Sequence, residues 1–213
     1  MRPFLPLFLD LRSKRVVIFG GGSVAERKAR LFSGYSKVLL VSRSFTDGLK
    51  EMEDEGFVEL VQREISSGAE GFDDYLRGAF IVIPATDSSE VNRCLEEKAI
   101  QMGALVNRVD GVGDVVVPSI VRKDPVNIAI STLGESPAFT RYMRQKIEVD
   151  LTEAHVKMAR LLGELRHQLK TTIPDQSVRR KILWEILSDE EIWRLLDESY
   201  EKAYKKALLK VTG

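Results

Sequence analysis

Residues 15–30 read Arg15-Val-Val-Ile-Phe-Gly-Gly-Gly-Ser-Val-Ala-Glu-Arg-Lys-Ala-Arg30. The run opens with four apolar residues, Val16 to Phe19, a pattern typical of a strand that is buried on both faces. Three glycines follow, and then Ala25, Ala29 and Phe32 recur at helical spacing. The pattern therefore predicts a strand, a glycine turn and a helix in immediate succession.

This context gives meaning to a match with the dinucleotide fingerprint G-x-G-x-x-G/A, formed here by Gly20, Gly22 and Ala25. Gly20 would allow the tight turn, Gly22 would let the backbone approach a pyrophosphate, and Ala25 would let the helix sit close to the strand. The pyrophosphate would lie on the free N–H groups of the helix start. A glycine-rich turn without a ligand is the alternative, and the complete strand–turn–helix context favours dinucleotide binding over it.

Composition excludes several classes of protein. The 213 residues are enough for one large or two small domains, and 32 Lys and Arg balance 32 Asp and Glu. We therefore expect no overall field that recruits nucleic acid or an acidic membrane. The single cysteine, Cys94, excludes an intramolecular disulfide. No apolar run approaches the ~20 residues of a membrane span, and Asp10 with two nearby prolines argues against a signal peptide, so we expect a cytoplasmic protein.

The first half of the chain alternates strands and helices. Strands are predicted at residues 4–9, 16–19, 37–42, 57–62, 78–84 and 104–109. Asp87 and Glu90 form a predicted capping box at the start of the helix before the last of these strands. Alternation with such short connections requires a parallel, doubly wound sheet. We therefore predict an α/β fold with a Rossmann-type domain over residues 1–113.

The rhythm changes after this domain. Strands are predicted at 114–121 and 126–131, and Ser136-Pro137 is a typical helix start. A lone hairpin is marginally stable, so we expect a second chain to bury these strands and predict a dimerisation segment over 114–146. Helical patterns fill the rest, with a second capping box at Ser188 and Glu191, which predicts a small all-helical domain over 147–213.

Ligands of an open parallel sheet lie beyond the carboxyl ends of its strands. The segments that end there are 20–24, 42–43, 84–87 and 107–110. An NAD-binding domain usually offers Asp or Glu after its second strand, whereas Ser42 and Arg43 stand here. Arg43 could face the 2′-phosphate of NADP or could be a solvated loop cation, and the residues alone leave both interpretations open.

Asp110 is the acid that follows the predicted strand at 104–109 most closely. A carboxylate beside a nicotinamide is suited to accept a proton, but Asp110-Gly111 also fits an ordinary Asx turn. His155 and His167 lie 12 residues apart, so no metal site is expected. Arg141 and Arg144 could meet an acidic substrate or could be merely solvated.

Several motifs occur together in the order and spacing of one family. They are Leu5-Pro-Leu-Phe8, Gly20-Gly-Gly-Ser-Val-Ala-Glu-Arg-Lys-Ala29, Ala85-Thr-Asp87, Asn107-Arg-Val-Asp110, Val117-Pro-Ser119 and Gly134-Glu-Ser-Pro137. The sequence resembles the precorrin-2 dehydrogenases, and the amino-terminal part of siroheme synthase, over essentially the whole chain. The resemblance implies NAD-dependent oxidation of precorrin-2, an acidic tetrapyrrole, to sirohydrochlorin by a homodimer. Some relatives also insert iron, and the residues leave this activity open. They also leave open the alternative that the protein is a non-catalytic module that only senses a dinucleotide.

The resemblance also implies roles for particular residues. Asp110 matches the catalytic aspartate. Residues matching the NAD contacts, or predicted from the strand ends to join them, are Gly20, Gly21, Gly22, Ser23, Val24, Ala25, Ser42, Arg43, Thr86, Asp87 and Asn107. The expected substrate residues are Arg108, Pro118, Ser119, Arg141 and Arg144. Because family members lack the acid after the second strand and still use NAD, Arg43 does not argue for NADP once the resemblance is considered.

Overall fold

The computed structural model describes residues 3–65 and 71–212. The outer ends of the predicted 1–113 and 147–213 regions, and residues 66–70, lie outside the described residues. The chain divides into two compact units, the first ending at Val117 and the second beginning at Pro118. The elements of the first unit are β1 (Arg15–Phe19), α1 (Ser23–Ser33), β2 (Lys37–Ser42), α2 (Asp47–Asp54), β3 (Glu59–Gln62), α3 (Asp73–Leu76), β4 (Ile81–Pro84), α4 (Ser89–Gln101) and β5 (Leu105–Val106).

The five strands form one parallel sheet in the order β3-β2-β1-β4-β5. Val16 of β1 lies opposite Val38 of β2 on one side and Ile81 of β4 on the other. The order runs outward from β1 in both directions, which is the doubly wound arrangement. The predicted α/β fold class is confirmed, and β1 and β4 flank the point where the strand order reverses.

The continuous apolar run of β1 is explained by helices on both faces of the sheet. Val17 and Phe19 pack in one core cluster with Leu95 of α4, while Val16 and Ile18 pack in the other with residues of α1 and α2. The four apolar side chains of β1, Val16 to Phe19, are fully buried. Alternate residues of one strand thus fill two cores, which is why no polar residue interrupts the run.

The second unit consists of a hairpin and five helices. Its elements are β6 (Ser119–Lys123), β7 (Val126–Ile130), α5 (Pro137–Asp150), α6 (Glu153–Thr172), α7 (Gln176–Leu187), α8 (Glu190–Glu198) and α9 (Tyr200–Thr212). The strands β6 and β7 pair with each other antiparallel. Helix α5 begins as predicted, because the Ser136 hydroxyl accepts a hydrogen bond from the Phe139 N–H and Pro137 stands at the first helical position. Leu165 of α6, Ile192 of α8 and Ala207 of α9 meet in a common core.

Several predicted strands are shorter than expected or absent. Residues 4–9 form no strand although all of them are described, and Leu5 and Phe8 are each 75% exposed. Pro6 cannot donate to a ladder there. The predicted strand at 114–121 is wrong in its first half, since the Val115 N–H instead donates to the Val106 carbonyl, and pairing within the hairpin starts only at Ser119.

Both predicted capping boxes are displaced by one residue. Ser88, rather than Asp87, caps α4 by accepting a hydrogen bond from the Val91 N–H. Asp189, rather than Ser188, caps α8, because Ser188 closes the last turn of α7. In each pair both side chains carry an oxygen that can accept the bond, and the extended backbone of Ser88 and Asp189 decides which one does.

Candidate functional site

A cleft with a volume of about 560 Å³ opens at the carboxyl ends of the central strands. It lies where the strand order reverses, between β1 and β4. The segments that follow β1 and β4 line it, and the segment that follows β2 lines the wall that faces the β4 segment. The predicted cofactor residues that line it are Gly20, Gly21, Gly22, Ser23, Val24, Ser42, Arg43, Thr86 and Asp87. The cleft is therefore the candidate dinucleotide site, in the position typical of doubly wound sheets.

The three glycines have different structural reasons. Gly20 has a φ of +134°, and a Cβ there would collide with the carbonyl oxygen of Ala85. A Cβ on Gly21 would collide with the carbonyl oxygen of Ser44. Around Gly22, by contrast, no described atom beyond Gly22 and its two chain neighbours lies within 4 Å of the point that a Cβ would occupy. Gly20 and Gly21 thus bring backbones together, while Gly22 leaves space in the cleft that a diphosphate could fill.

The start of α1 is suited to bind an anion. Gly22 is its N-cap, and within the described part of the chain no side chain accepts from its first amides. The neighbouring helices differ, because the hydroxyls of Thr46 and Ser88 cap α2 and α4 by accepting from the Leu49 and Val91 N–H groups. A dinucleotide diphosphate would supply the acceptor that α1 lacks, so the residues present fit this cofactor.

Two predicted cofactor residues do not line the cleft. Ala25 belongs to α1 and is fully buried in the core cluster that contains Val16 and Ile18, in keeping with the packing role expected for it. Asn107 is only 3% exposed. Its Oδ1 accepts from Lys28 Nζ at 2.7 Å, and its Nδ2 donates to the Val115 carbonyl at 2.7 Å. Asn107 therefore joins α1 to the segment after β5, and burial of the Lys28 ammonium lowers the pKa of that lysine.

Arg43 lines the cleft and has an acidic partner. Its Nη2 lies 3.3 Å from Oδ2 of Asp87, which lines the opposite wall. The Arg43 carbonyl also accepts a hydrogen bond from Gln62 Nε2. Arg43 is thus neither a lone loop cation nor free to face a 2′-phosphate without giving up its partner.

Sequence reasoning missed Asn92, which holds the loop after β4. Asn92 Oδ1 accepts from the Thr86 N–H at 3.0 Å and from the Thr86 hydroxyl at 2.7 Å, and its Nδ2 donates to the Thr86 carbonyl at 3.1 Å. An Asn one turn into a helix that follows a strand end was the available signal. Asn92 itself does not line the cleft, and the lining residues that sequence reasoning missed are Ser44, Phe45, Thr46, Glu64, Ile65, Ser88 and Val91.

Asp110 lies in a second, smaller pocket of about 370 Å³. The Arg108 Nε lies 3.8 Å from Asp110 Oδ1 and 3.3 Å from Glu96 Oε1. Burial raises the pKa of Glu96, although the charge of Arg108 opposes this effect. The Asp110 side chain is 62% exposed. The first turn of α4 separates the two pockets, since Ser88 lines the cleft and the adjacent Ser89 lines the pocket of Asp110.

The remaining predicted substrate residues belong to the second unit. Pro118 precedes β6, and Ser119 is its first residue. Arg141 is exposed on α5, and Arg144 donates to Glu148 Oε2 at 2.6 Å one turn later on the same helix.

Two further observations concern metals and membranes. In residues 3–65 and 71–212, no group of three or more His, Cys, Asp or Glu side chains is arranged to hold a metal ion. No helix among these same residues is both long enough and apolar enough to cross a bilayer.

Comparisons with known proteins agree with this geometry. Residues 7–119 match a family model described as "Putative NAD(P)-binding". The precorrin-2 dehydrogenase of Methanosarcina barkeri is 44% identical over 205 residues, which cover 96% of this chain and 92% of that relative. The siroheme synthase of Photobacterium profundum is 32% identical over 213 residues, but the matched region is only 44% of that longer protein.

A solved structure shares the fold. The precorrin-2 dehydrogenase SirC superposes with a TM-score of 0.74 at 22% sequence identity, covering 96% of this chain and 98% of SirC. The first unit is therefore a nicotinamide-dinucleotide-binding domain, and the chain belongs to the precorrin-2 dehydrogenase family.

Proposed function

We propose that this protein oxidises precorrin-2 to sirohydrochlorin with NAD, a step of siroheme biosynthesis that we assign to the cytoplasm. The observation that carries the proposal is the glycine-lined cleft beside the uncapped start of α1, in a chain that is 44% identical to a precorrin-2 dehydrogenase over nearly its whole length. When bound there, NAD supplies the acceptor for a hydride from the substrate.

Different residues around the cleft would contact different parts of the cofactor. Gly22 and the first amides of α1 would hold the diphosphate. Ser42, the last residue of β2, and Arg43, which follows it, would face the ribose. The Thr86 loop would lie on the nicotinamide side, and Asn92 would hold it in place through three hydrogen bonds. Asn107 stays a predicted contact whose role would be indirect, because its side chain is already bonded at both ends.

NAD, rather than NADP, is the cofactor that the charges around the cleft favour. Arg43 is the cation best positioned to receive a 2′-phosphate, but it is paired with Asp87. A phosphate at that position would have to displace a carboxylate and would then lie beside it. NAD has no such phosphate and leaves the ion pair undisturbed.

Asp110 is the proposed proton acceptor. Once a hydride has left the tetrapyrrole, a proton must also leave for conjugation to be restored, and an exposed carboxylate can take it. Asp110 is exposed, and Arg108 lies beside it at 3.8 Å. Glu96 Oε1 lies 3.3 Å from the same Arg108 Nε, so Arg108 would orient Asp110 while itself being held by Glu96.

The substrate would be held by cations and by the start of the second unit. Precorrin-2 is rich in carboxylates, with which arginine forms charge-assisted hydrogen bonds. Arg141 has no acidic partner among the described residues, whereas Arg144 would have to share its charge with Glu148. Pro118 and Ser119 stay in the proposal as substrate residues.

We also propose that the chain has three regions: an NAD-binding region over 1–113, a dimerisation segment over 114–146 and a helical region over 147–213. The homodimer would form mainly through the dimerisation segment. Of the 14 residues of α5, only Thr140 is buried, while Phe139 and Tyr142 are 54% and 57% exposed. The adjacent hairpin has only two strands, β6 and β7. A second chain would cover these aromatic side chains and extend a hairpin that is marginally stable alone.

The proposal is tested by incubating the purified protein with NAD and precorrin-2 under anaerobic conditions. NADH and sirohydrochlorin should then form in equal amounts. A module that only senses a dinucleotide would bind NAD and form neither product.

A further inference from the structure

The second unit contains a pocket that the proposed reaction does not use. It lies between α6 and α7 and has a volume of about 410 Å³, within the range usual for small-molecule sites. Four cations line it: Arg166 and Lys170 from α6, and Arg179 and Arg180 from α7. None of its described lining residues is acidic.

Most of this positive charge has no counter-charge. Arg179 Nη1 donates to the carbonyls of Ile173 and Pro174 at 2.6 Å each, which fixes that guanidinium beside the pocket. Within residues 3–65 and 71–212, the side chains of Arg166 and Arg180 reach no carboxylate. Four like charges around one concavity repel each other unless an anion joins them.

Stabilisation of helix ends accounts for only part of this cluster. Lys170 lies in the last turn of α6, where a cation stabilises the helix end. Arg166 lies a turn earlier and Arg180 lies near the start of α7, so neither cation has this role. Elsewhere in this unit cations do find acids, as in the pairs Lys206–Glu191 and Lys210–Asp189.

The pocket also has an apolar wall. Leu162 and Leu183 are only half-buried there, and Trp184 is 57% exposed beside them. An indole face and guanidinium planes both stack well on a flat ring. Inorganic phosphate would satisfy the charges but would leave this apolar surface uncovered.

We infer that the pocket between α6 and α7 binds a small planar molecule that carries two or more carboxylates. The cations provide charge-assisted hydrogen bonds, and Trp184 with the leucines provides the stacking surface. Two kinds of molecule have this chemistry: a tetrapyrrole with acidic side chains, and an unrelated aromatic polycarboxylate. The inference does not depend on the proposed dehydrogenation.

The test observes the pocket directly through its tryptophan. The chain has two tryptophans, and of these Trp184 lines the pocket whereas Trp193 is not among its lining residues, so Trp193 serves as a reference. Trp193→Phe assigns the two indole signals in a ¹H–¹⁵N spectrum of the full chain. The probes are uroporphyrin, naphthalene-2,6-dicarboxylate and citrate, which has carboxylates but no ring.

We expect a saturable shift of the Trp184 indole signal, larger than that of Trp193, with uroporphyrin or with the naphthalene dicarboxylate. A response to uroporphyrin alone identifies a tetrapyrrole site, and a response to both identifies a general site for aromatic polycarboxylates. Citrate should bind at least about tenfold more weakly, because it leaves the apolar wall uncovered. No Trp184 shift with either ring compound at about millimolar concentration would overturn the inference.

Two double variants distinguish binding in the pocket from non-specific attraction of the probes to positive charge elsewhere on the protein. Arg166→Ala with Arg180→Ala should weaken probe binding at least about tenfold, since two charge-assisted contacts are lost. Lys202→Ala with Lys205→Ala removes the same charge from the exposed face of α9 and should leave the affinity unchanged. Equal losses in the two double variants would also overturn the inference. Neither result concerns NADH formation, so the proposed dehydrogenase function is tested separately.

Discussion

Arg43 and Asp87 form an ion pair above the glycine turn, with Nη2 of Arg43 lying 3.3 Å from Oδ2 of Asp87. Arg43 directly follows β2, Asp87 lies beyond the end of β4, and β1 runs between these two strands in the sheet. Both side chains are largely exposed, so the pair adds little to stability. We propose that its effect is on cofactor choice, because it would neutralise the cation that could otherwise attract a 2′-phosphate.

Asp87→Asn should therefore shift the cofactor preference towards NADP. Loss of the carboxylate frees Arg43 and removes a negative charge close to the phosphate, an effect of about 1 kcal/mol, or about fivefold in the ratio of the two dissociation constants. Calorimetric titration with NAD and NADP measures that ratio. Asp74→Asn, which removes an exposed carboxylate on α3 outside the cleft, is the matched control. An unchanged ratio in Asp87→Asn would contradict the role assigned to the pair.

Gly22 and Gly20 should respond to substitution in different ways. Gly22→Val directs its methyl groups into the open cleft, so NAD binding should weaken at least about tenfold while the melting temperature stays within a few degrees of wild type. Gly20→Ala meets the Ala85 carbonyl at a φ of +134° and should lower the free energy of unfolding by roughly 2 kcal/mol or more. Calorimetry and thermal unfolding distinguish these outcomes. A folded Gly22→Val variant with unaltered NAD affinity would refute the diphosphate assignment.

Asp110→Asn tests the proton acceptor. The variant keeps the size of the side chain but removes its basic site, so turnover should fall by about 10²–10⁴-fold with little change in NAD affinity. If Asp110 only forms a turn, turnover should be largely retained, because Asn serves an Asx turn equally well. Glu90→Gln removes an exposed carboxylate from the same pocket and should leave turnover within about threefold of wild type.

The proposed homodimer depends on the exposed aromatic side chains of α5. Phe139→Glu with Tyr142→Glu places charge on the proposed interface and should convert a dimer to a monomer in sedimentation velocity at micromolar concentration. Ile100→Glu alters an equally exposed apolar residue on α4 and should leave the dimer intact. A wild-type protein that sediments as a monomer would exclude the proposed assembly.

Asp189 gives a pH dependence with a definite sign. Its hydrogen bond from Lys210, together with backbone N–H donors of α8, lowers its pKa below the ordinary 3.8. A lowered pKa in the folded state means that the stabilisation is present above the unfolded pKa and is lost as the pH falls through the folded one. Asp189→Ala should cost about 1 kcal/mol at neutral pH through loss of the helix cap, and its deficit relative to wild type should shrink below about pH 4.

Urea unfolding at neutral and acidic pH measures this deficit. Asp197→Ala, at an exposed position of the same helix, should show a much smaller effect at either pH. A deficit for Asp189→Ala that is independent of pH would show that the carboxylate charge is not involved.

The strand and helix around the glycine turn could be predicted because their signals are local. Val16 to Phe19 are apolar because helices cover both sheet faces. Gly20 meets the backbone of the adjacent strand end, Gly22 faces open space and Ala25 packs in the core, so each position of the turn has a simple steric reason. The short length of β5 at Leu105 and the absence of a strand at Val115 could not be predicted in this way. Backbone groups that are distant in the sequence determine both features.

The surroundings of the candidate site were harder to predict than its glycine turn. Asp114 Oδ2 accepts from the Val106 N–H, and this contact across eight residues redirects the chain before β6. Asn92 acts through Thr86, six residues earlier, and has no motif of its own in the sequence. The separation of Asp110 from the cleft depends on where α4 begins. The sequence predicted Asp87 as the cap of this helix, one residue before the actual cap, Ser88.

The most direct test of the proposed function is the absorbance of NADH after wild-type protein is mixed with NAD and precorrin-2 in the absence of oxygen. We predict that NADH rises in step with sirohydrochlorin, and that both fall about 10²-fold or more in rate for Asp110→Asn. Protein that binds NAD in calorimetry but forms no NADH from precorrin-2 would contradict the proposed dehydrogenase function.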